Sequence, residues 1–425
     1  MTASTQVREP STAHFNKTFS ERREFGKRAV AAAVLIALGA LSGLQVMGFT
    51  VTLFSGICLL VAPALLLRKL SLGDWIPIAL ATVGLGGFLI SSRLNAVSVL
   101  DQRVFQWAAF GLYFIGLLVL AGKDLERVFA LATGVALGSC IYFSTKGLPA
   151  LGTPSIESFW KYAYAPWLTL ICLYALVLMR VSLRLQAVAL ILLACASLVL
   201  NYRSHALVCL GAAAVLLVTD FARGRIARWL QFAFVGVAVA AFGSLLPAVA
   251  KSGVLGAAIQ EKTELQDSAG VPSILAGRTE SPLSVSAIIE KPWFGWGSAN
   301  NITNDVFDRG ERFAARIGFD SSIDLNINWH LPNGDVSLHS TFFNAWAEGG
   351  VFAALLPIGL LCAAFAVVWN SPRYGLWGAM AVVIAIQAIW DLLFSPTSYN
   401  ILPIFAVLAV VFASVHLVDR TDRAA

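Results

Sequence analysis

Most groups able to do chemistry in this chain lie in or beside one long polar stretch, roughly Lys251 to Ser340, in an otherwise apolar sequence. His339 ends that stretch. Imidazole is the usual general base near neutral pH, and Asp335 or Glu348 could orient its ring. The plain alternative is a structural hydrogen bond. Arg278 follows Gly277 and precedes Ser281-Pro282, a helix-start signal. An arginine beside a helix N-terminus suits an anion, and its fork binds phosphate at two points. The alternative is a salt bridge to Glu280 or Glu290. Arg203 stands in the turn Asn201-Tyr202-Arg203-Ser204-His205 between two apolar runs. Charge there is expensive and usually functional, unless the side chain snorkels to lipid phosphate. Asp391 lies inside an apolar run and calls for a cation, with Arg203 or Arg278 suited to supply it. His205 and His330 are weaker candidates. Two arginines, a histidine and a carboxylate, with no Cys/His cluster, suit a pyrophosphate-bearing substrate and a hydroxyl nucleophile.

The elements that must position these groups are membrane helices. The 425 residues are 58% hydrophobic and 13% charged, against about 25% charged in soluble domains. This excludes a soluble globular domain. The net charge of +6 does not point to nucleic acid, because most basic residues fall in the tails and at span ends. The six cysteines all lie in apolar runs and read as small buried hydrophobes. A span needs about 20 apolar residues. Twelve windows qualify, at 29–47, 49–67, 75–92, 104–121, 126–143, 163–179, 183–200, 205–219, 229–249, 342–369, 374–394 and 400–417. With the N-terminus in the cytoplasm, the short outer loops hold only Arg93, Arg103, Lys146, Lys161 and Arg203, and the inner segments hold most other Lys and Arg. Both termini are then inside and the long loop outside. The expected fold is all-α and polytopic, with about twelve transmembrane helices and one large periplasmic loop containing short helices. Its parts are an uncleaved cytoplasmic tail over 1–28, spans one to nine over 29–250, the loop over 251–340, spans ten to twelve over 341–418, and a cytoplasmic tail over 419–425. A short helix is expected over Leu283–Glu290, and Asn300 to Asp335 reads as irregular. The turn-rich loop from Ser144 to Tyr162 suits a cover over a cavity.

The series Arg278, Glu290-Lys291-Pro292-Trp293-Phe294-Gly295-Trp296-Gly297, His339-Ser340-Thr341, Asn344 and Glu348-Gly349-Gly350 resembles the O-antigen ligase/polymerase family. These are polytopic bacterial envelope glycosyltransferases acting on undecaprenyl-diphosphate-linked glycans. Within it the chain is most similar to the ligase branch. Its 144–162 loop is short for a polymerase, and it stops soon after the last span, unlike protein O-oligosaccharyltransferases. The resemblance implies an inner-membrane enzyme that moves a glycan en bloc onto a lipid A-core sugar hydroxyl, without metal or cofactor. It implies His339 as base and Arg203 and Arg278 as the diphosphate clamp, with Asp391 and Glu348 as further substrate-binding residues. The partners are the lipid-linked donor, the lipid A-core acceptor and membrane lipids, with no nucleic acid. A polymerase, a protein-glycosylating relative, or a non-enzymatic transporter or flippase of lipid-linked glycans remain the alternative readings.

Overall fold

The computed structural model describes residues 12–148, 155–221, 227–253, 260–261, 263–264, 271, 278–320, 324–331, 333–396 and 400–421. Among these the chain is helical except for one small hairpin. Helix α1 covers Thr12–Ala40, and strands β1 (Gln45–Met47) and β2 (Val51–Thr52) turn at Gly48. Then follow α2 (Leu53–Val61), α3 (Leu72–Leu94), α4 (Gln102–Leu120), α5 (Leu125–Lys146), the short α6 (Ile156–Phe159), α7 (Ala165–Leu178), α8 (Leu183–Val199), α9 (Arg203–Phe221) and α10 (Arg228–Lys251). The long loop carries α11 (Ser281–Glu290), α12 (Asn304–Arg316) and α13 (Leu325–Trp329). The chain ends with α14 (Thr341–Trp369), α15 (Gly378–Phe394) and α16 (Ile401–Thr421).

Eight helical stretches among the described residues are long and apolar enough to cross a membrane. Three shorter apolar helices, Leu53–Leu67, Leu183–Val199 and Ile401–Val415, coincide with other windows of the sequence, and α10 covers the window at 229–249. The second window, 49–67, is not one regular helix. Its first residues close the hairpin, Thr52 caps α2, and Pro63 falls in a 3₁₀ segment from Ala62 to Leu67. Leu60, Leu66 and Leu67 are more than four-fifths exposed, as lipid-facing residues of a membrane protein should be.

Helix contacts use small residues and buried polar groups rather than a hydrophobic driving force, as expected between membrane helices. Gly134 and Gly138 of α5 lie against the main chain of α1, and a Cβ on either would overlap the carbonyls of Ile36 and Ala40. Asn400 donates to Ser42 (2.8 Å) and Ser139 (2.9 Å), tying the start of α16 to α5 and to the turn after α1.

The loop is a packed unit with its own small core. Leu283, Trp296, Val306, Phe307, Leu325 and Trp329 are buried together. The expectation of irregular structure from Asn300 to Asp335 fails because α12 is amphipathic. Val306, Phe307, Gly310 and Ala314 form its buried face, Asp305 lies in its first turn and Arg316 in its last. That charge order complements the helix dipole.

Candidate active site

The site depends on one joint between loop and spans. Gly350 has φ +73°, which breaks α14 after its first two and a half turns. In an unbroken helix Val351 N–H would bond the Ala347 carbonyl. Here Val351 N–H donates to Pro292 O (3.0 Å), while Ala347 O and Glu348 O accept from Trp296 N and Gly297 N, each at 2.8 Å. The broken helix thus trades these bonds for bonds to the Pro292–Gly297 segment. Gly295 fits because a Cβ there would lie 2.6 Å from Glu348 O. Ser91 of α3 donates to the same carbonyl (2.6 Å), Trp346 Nε1 donates to Pro292 O (3.0 Å), and Lys291 bonds Asn95 Oδ1 (2.9 Å) while lying 4.0 Å over the Trp296 ring.

The Glu348 side chain belongs to this joint. Its Oε1 accepts from Arg103 Nη1 (2.8 Å) and Ala299 N (2.9 Å), and Arg103 also reaches Ser298 Oγ (2.7 Å) and Asp101 Oδ2 (2.8 Å). Glu348 is 3% exposed.

The loop core and the joint deliver two residues to a cavity of about 490 Å³. Trp329 Nε1 donates to Thr279 O (2.7 Å), which fixes the turn between Arg278 and Glu280 at the start of α11. Arg278 lines the cavity. Burial pulls its pKa below the usual arginine range, while Glu280, Tyr202 and Tyr162 push the other way, and a guanidinium so placed stays charged. His339 lines it from the other side, with its main chain at φ +43°. That backbone is pinned to the end of α15. Ser340 Oγ donates to Leu392 O (3.0 Å), and Thr341 N donates to Ser395 O (2.8 Å). The ring Nδ1 lies 2.9 Å from Glu280 Oε1 and 2.9 Å from Ser337 Oγ.

Asp391 lines the same cavity, as do Lys161, Tyr162, Tyr202 and His205. Lys161 and Tyr162 stand on a π-helical turn, Trp160–Tyr164, that leads into α7; such turns are frequent at functional sites. Burial raises the Tyr202 pKa, and nearby Asp391 raises it further. The lower wall is apolar, with Leu170, Val383, Ile384 and Ile404. A cavity with cations, a histidine and a carboxylate above an apolar wall can hold an anion attached to a lipid. Among the described residues, no group of three His, Cys, Asp or Glu could hold a metal ion.

Three of the five sequence candidates therefore share one cavity, Arg278, His339 and Asp391. Glu348 does not line it, because the Arg103 ion pair holds its carboxylate in the joint. Arg203 does not line it either, although Tyr202 and Ser204 on both sides of it do; its guanidinium donates to Thr263 Oγ1 (3.1 Å). The cation expected beside Asp391 is absent among the described residues, and the carboxylate accepts from Gln387 Nε2 (2.9 Å). The carboxylate beside His339 is Glu280. Of those expected, Asp335 accepts from Asn300 and Asn333, and Glu348 is bound to Arg103. Glu290 pairs with Arg309 (2.6 Å) and so is not the partner of Arg278. His205 is buried against Thr169 and Cys209, and His330 stacks on Phe307. Glu280, Lys161 and Tyr162 are the residues that sequence reasoning missed. The basic residue between Trp160 and Tyr162, in the loop read as a cavity cover, was the available signal for Lys161.

Fold and site together define a polytopic helical membrane protein with a loop-capped cavity lined by Lys161, Arg278 and His339. Residues 188–358 match the family model described as O-antigen ligase, so this part of the chain is similar to that family. This similarity supports a glycosyltransferase-type enzyme. The matched segment contains Arg203, Arg278, Glu280, His339 and Glu348, whereas Lys161 and Asp391 lie outside it. No curated protein and no solved structure matches the chain.

Proposed function

We propose that the chain is an O-antigen ligase of the bacterial inner membrane, with its active cavity on the periplasmic face. It transfers a glycan from undecaprenyl diphosphate to a sugar hydroxyl of lipid A-core. The observation that carries this reading is the meeting of Arg278 and His339 in one half-apolar cavity. The two are separated by 61 positions of the sequence.

In the proposed step His339 takes the proton of the acceptor hydroxyl. The acceptor oxygen bonds to the anomeric carbon as the bond from that carbon to the phosphate oxygen breaks. The electron pair leaves on undecaprenyl diphosphate, and the anomeric centre inverts. Arg278, with Lys161 as second cation, neutralises the charge growing on the leaving diphosphate. Arg203 would join them on giving up its bond to Thr263. The apolar wall takes the first isoprene units of the lipid. The excess of Lys and Arg in the segments on the opposite side supports the assigned face.

The test is transfer by purified protein between a defined lipid-linked glycan and lipid A-core. His339→Ala should lower kcat by roughly 10²–10⁴-fold, the usual contribution of a positioned base. Transfer at the wild-type rate by that variant would remove His339 from the step. Extension of the lipid-linked glycan itself, in place of capture by lipid A-core, would assign the polymerase reaction instead.

A further inference from the structure

We infer that Glu280 is the positioning residue for His339, fixing its ring as the Nδ1–H tautomer with the Nε2 lone pair left for the acceptor hydroxyl. This rests on the reading of His339 as the base and adds a residue that the reading does not require.

Glu280 occupies the cap position of α11, where a carboxylate ordinarily accepts from the first N–H groups of the helix. Its side chain makes no capping bond. Its carbonyl does the local work, accepting from Ser284 N (3.0 Å) and Ser284 Oγ (2.9 Å). The carboxylate is turned to His339 instead, with Oε1 at 2.9 Å from Nδ1. Glu280 is only 8% exposed. A buried carboxylate must find a donor or a counter-charge, and the imidazole Nδ1–H is the donor that the geometry offers.

The same geometry decides the tautomer. If Nδ1 were the acceptor, it would take its hydrogen from Ser337 Oγ, and a lone pair would face the Glu280 carboxylate across 2.9 Å. With the hydrogen on Nδ1, the carboxylate accepts and the contact is favourable. The bond on one ring nitrogen sets the role of the other. Nε2 is then the basic nitrogen of a ring that lines the cavity.

The ring is also held against rotation from two directions. Its backbone is tied to the end of α15 through Ser340 and Thr341, and its Nδ1 is tied to the start of α11. Non-glycine residues at φ +43° are uncommon, and such conformations persist where surroundings over-determine them. One turn, Arg278-Thr279-Glu280, therefore supplies both the cation for the diphosphate and the carboxylate for the base.

The experiment combines nitrogen-15 spectroscopy with kinetics on the full chain in lipid nanodiscs. Five histidines give ring signals, and His339 is identified by loss of its signal in His339→Ala. The wild-type ring is expected as the Nδ1–H tautomer. Glu280→Gln keeps the shape but offers an amide donor, so it should populate the Nε2–H form. Its kcat should fall roughly 10²–10⁴-fold, as when the carboxylate of a catalytic triad is made an amide, with the donor KM changed less than about threefold. An Nε2–H ring in the wild type overturns the inference, and this needs no folded variant. Wild-type kcat in Glu280→Gln overturns it as well. Either result leaves the His339→Ala test standing, whereas full transfer by His339→Ala removes the base and the positioning role together.

Discussion

Replacing Gly350 with alanine should open the loop without unfolding the spans. The new Cβ would overlap the Trp293 carbonyl, and the residue would have to stay at φ +73°. With ψ at −173° this backbone is essentially confined to glycine and costs an L-residue roughly 1–3 kcal/mol. Relief of the overlap requires the Pro292–Gly297 segment to move off α14. That movement breaks the bonds Val351 N to Pro292 O, Trp296 N to Ala347 O and Gly297 N to Glu348 O. Each is worth about 0.5–1.5 kcal/mol net. The summed cost is therefore roughly 3–7 kcal/mol, directed at docking of the loop. Since a tenfold change in equilibrium is about 1.4 kcal/mol, the open population should rise at least about a hundredfold. Limited trypsin digestion in detergent reads this, because Arg312 and Arg316 on exposed positions of α12 are cut only when the loop opens. Gly86→Ala is the control, since nothing lies within 4 Å of a Cβ there. Equal digestion rates for Gly350→Ala and Gly86→Ala would refute the account of the broken helix.

Arg103→Ala should leave Glu348 buried without its cation and destabilise the docked loop by about 3–5 kcal/mol, seen as a lower unfolding temperature. Glu348→Gln, which can still accept from Ala299 N, should lose less. Arg278→Lys should lose most transfer activity although the charge is kept, because lysine lacks the planar fork; a lysine variant that transfers normally would mean that only charge is needed. Gly138→Val should separate α1 from α5 and lower yield and thermal stability in detergent, and unchanged stability would contradict the close crossing.

The apolar windows were plain in the sequence because twenty-residue runs leave no other use for a chain. Arg278 and His339 were legible because polar loops between spans concentrate reactive groups. The cavity itself was not, since 61 residues of loop must fold before the two meet. Motif residues were harder to assign. Pro292-Trp293-Phe294-Gly295-Trp296-Gly297 and Glu348-Gly349-Gly350 read as signatures of the site, with Glu348 as a substrate ligand. Their identities are instead set by main-chain geometry at a helix break, which no periodicity announces. Glu280 reads in the sequence as a loop carboxylate beside Arg278, because only the packing of α11 against the start of α14 aims it at His339. The short helices of the loop core were hidden by the many Asn, Asp and Gly around α12.

The pinning of His339 to the end of α15 has a consequence for biosynthesis. The ribosome releases Arg278 and Glu280 well before Leu392 and Ser395, to which the histidine segment is tied. The joint needs Ser91 and Arg103, already inserted, together with α14. During synthesis the chain therefore holds every cation of the cavity while its base has no fixed place. The cavity wall is also late, because Val383, Ile384 and Asp391 stand on α15 and Ile404 on α16. Truncation after α14 would therefore remove that wall together with the anchor of His339.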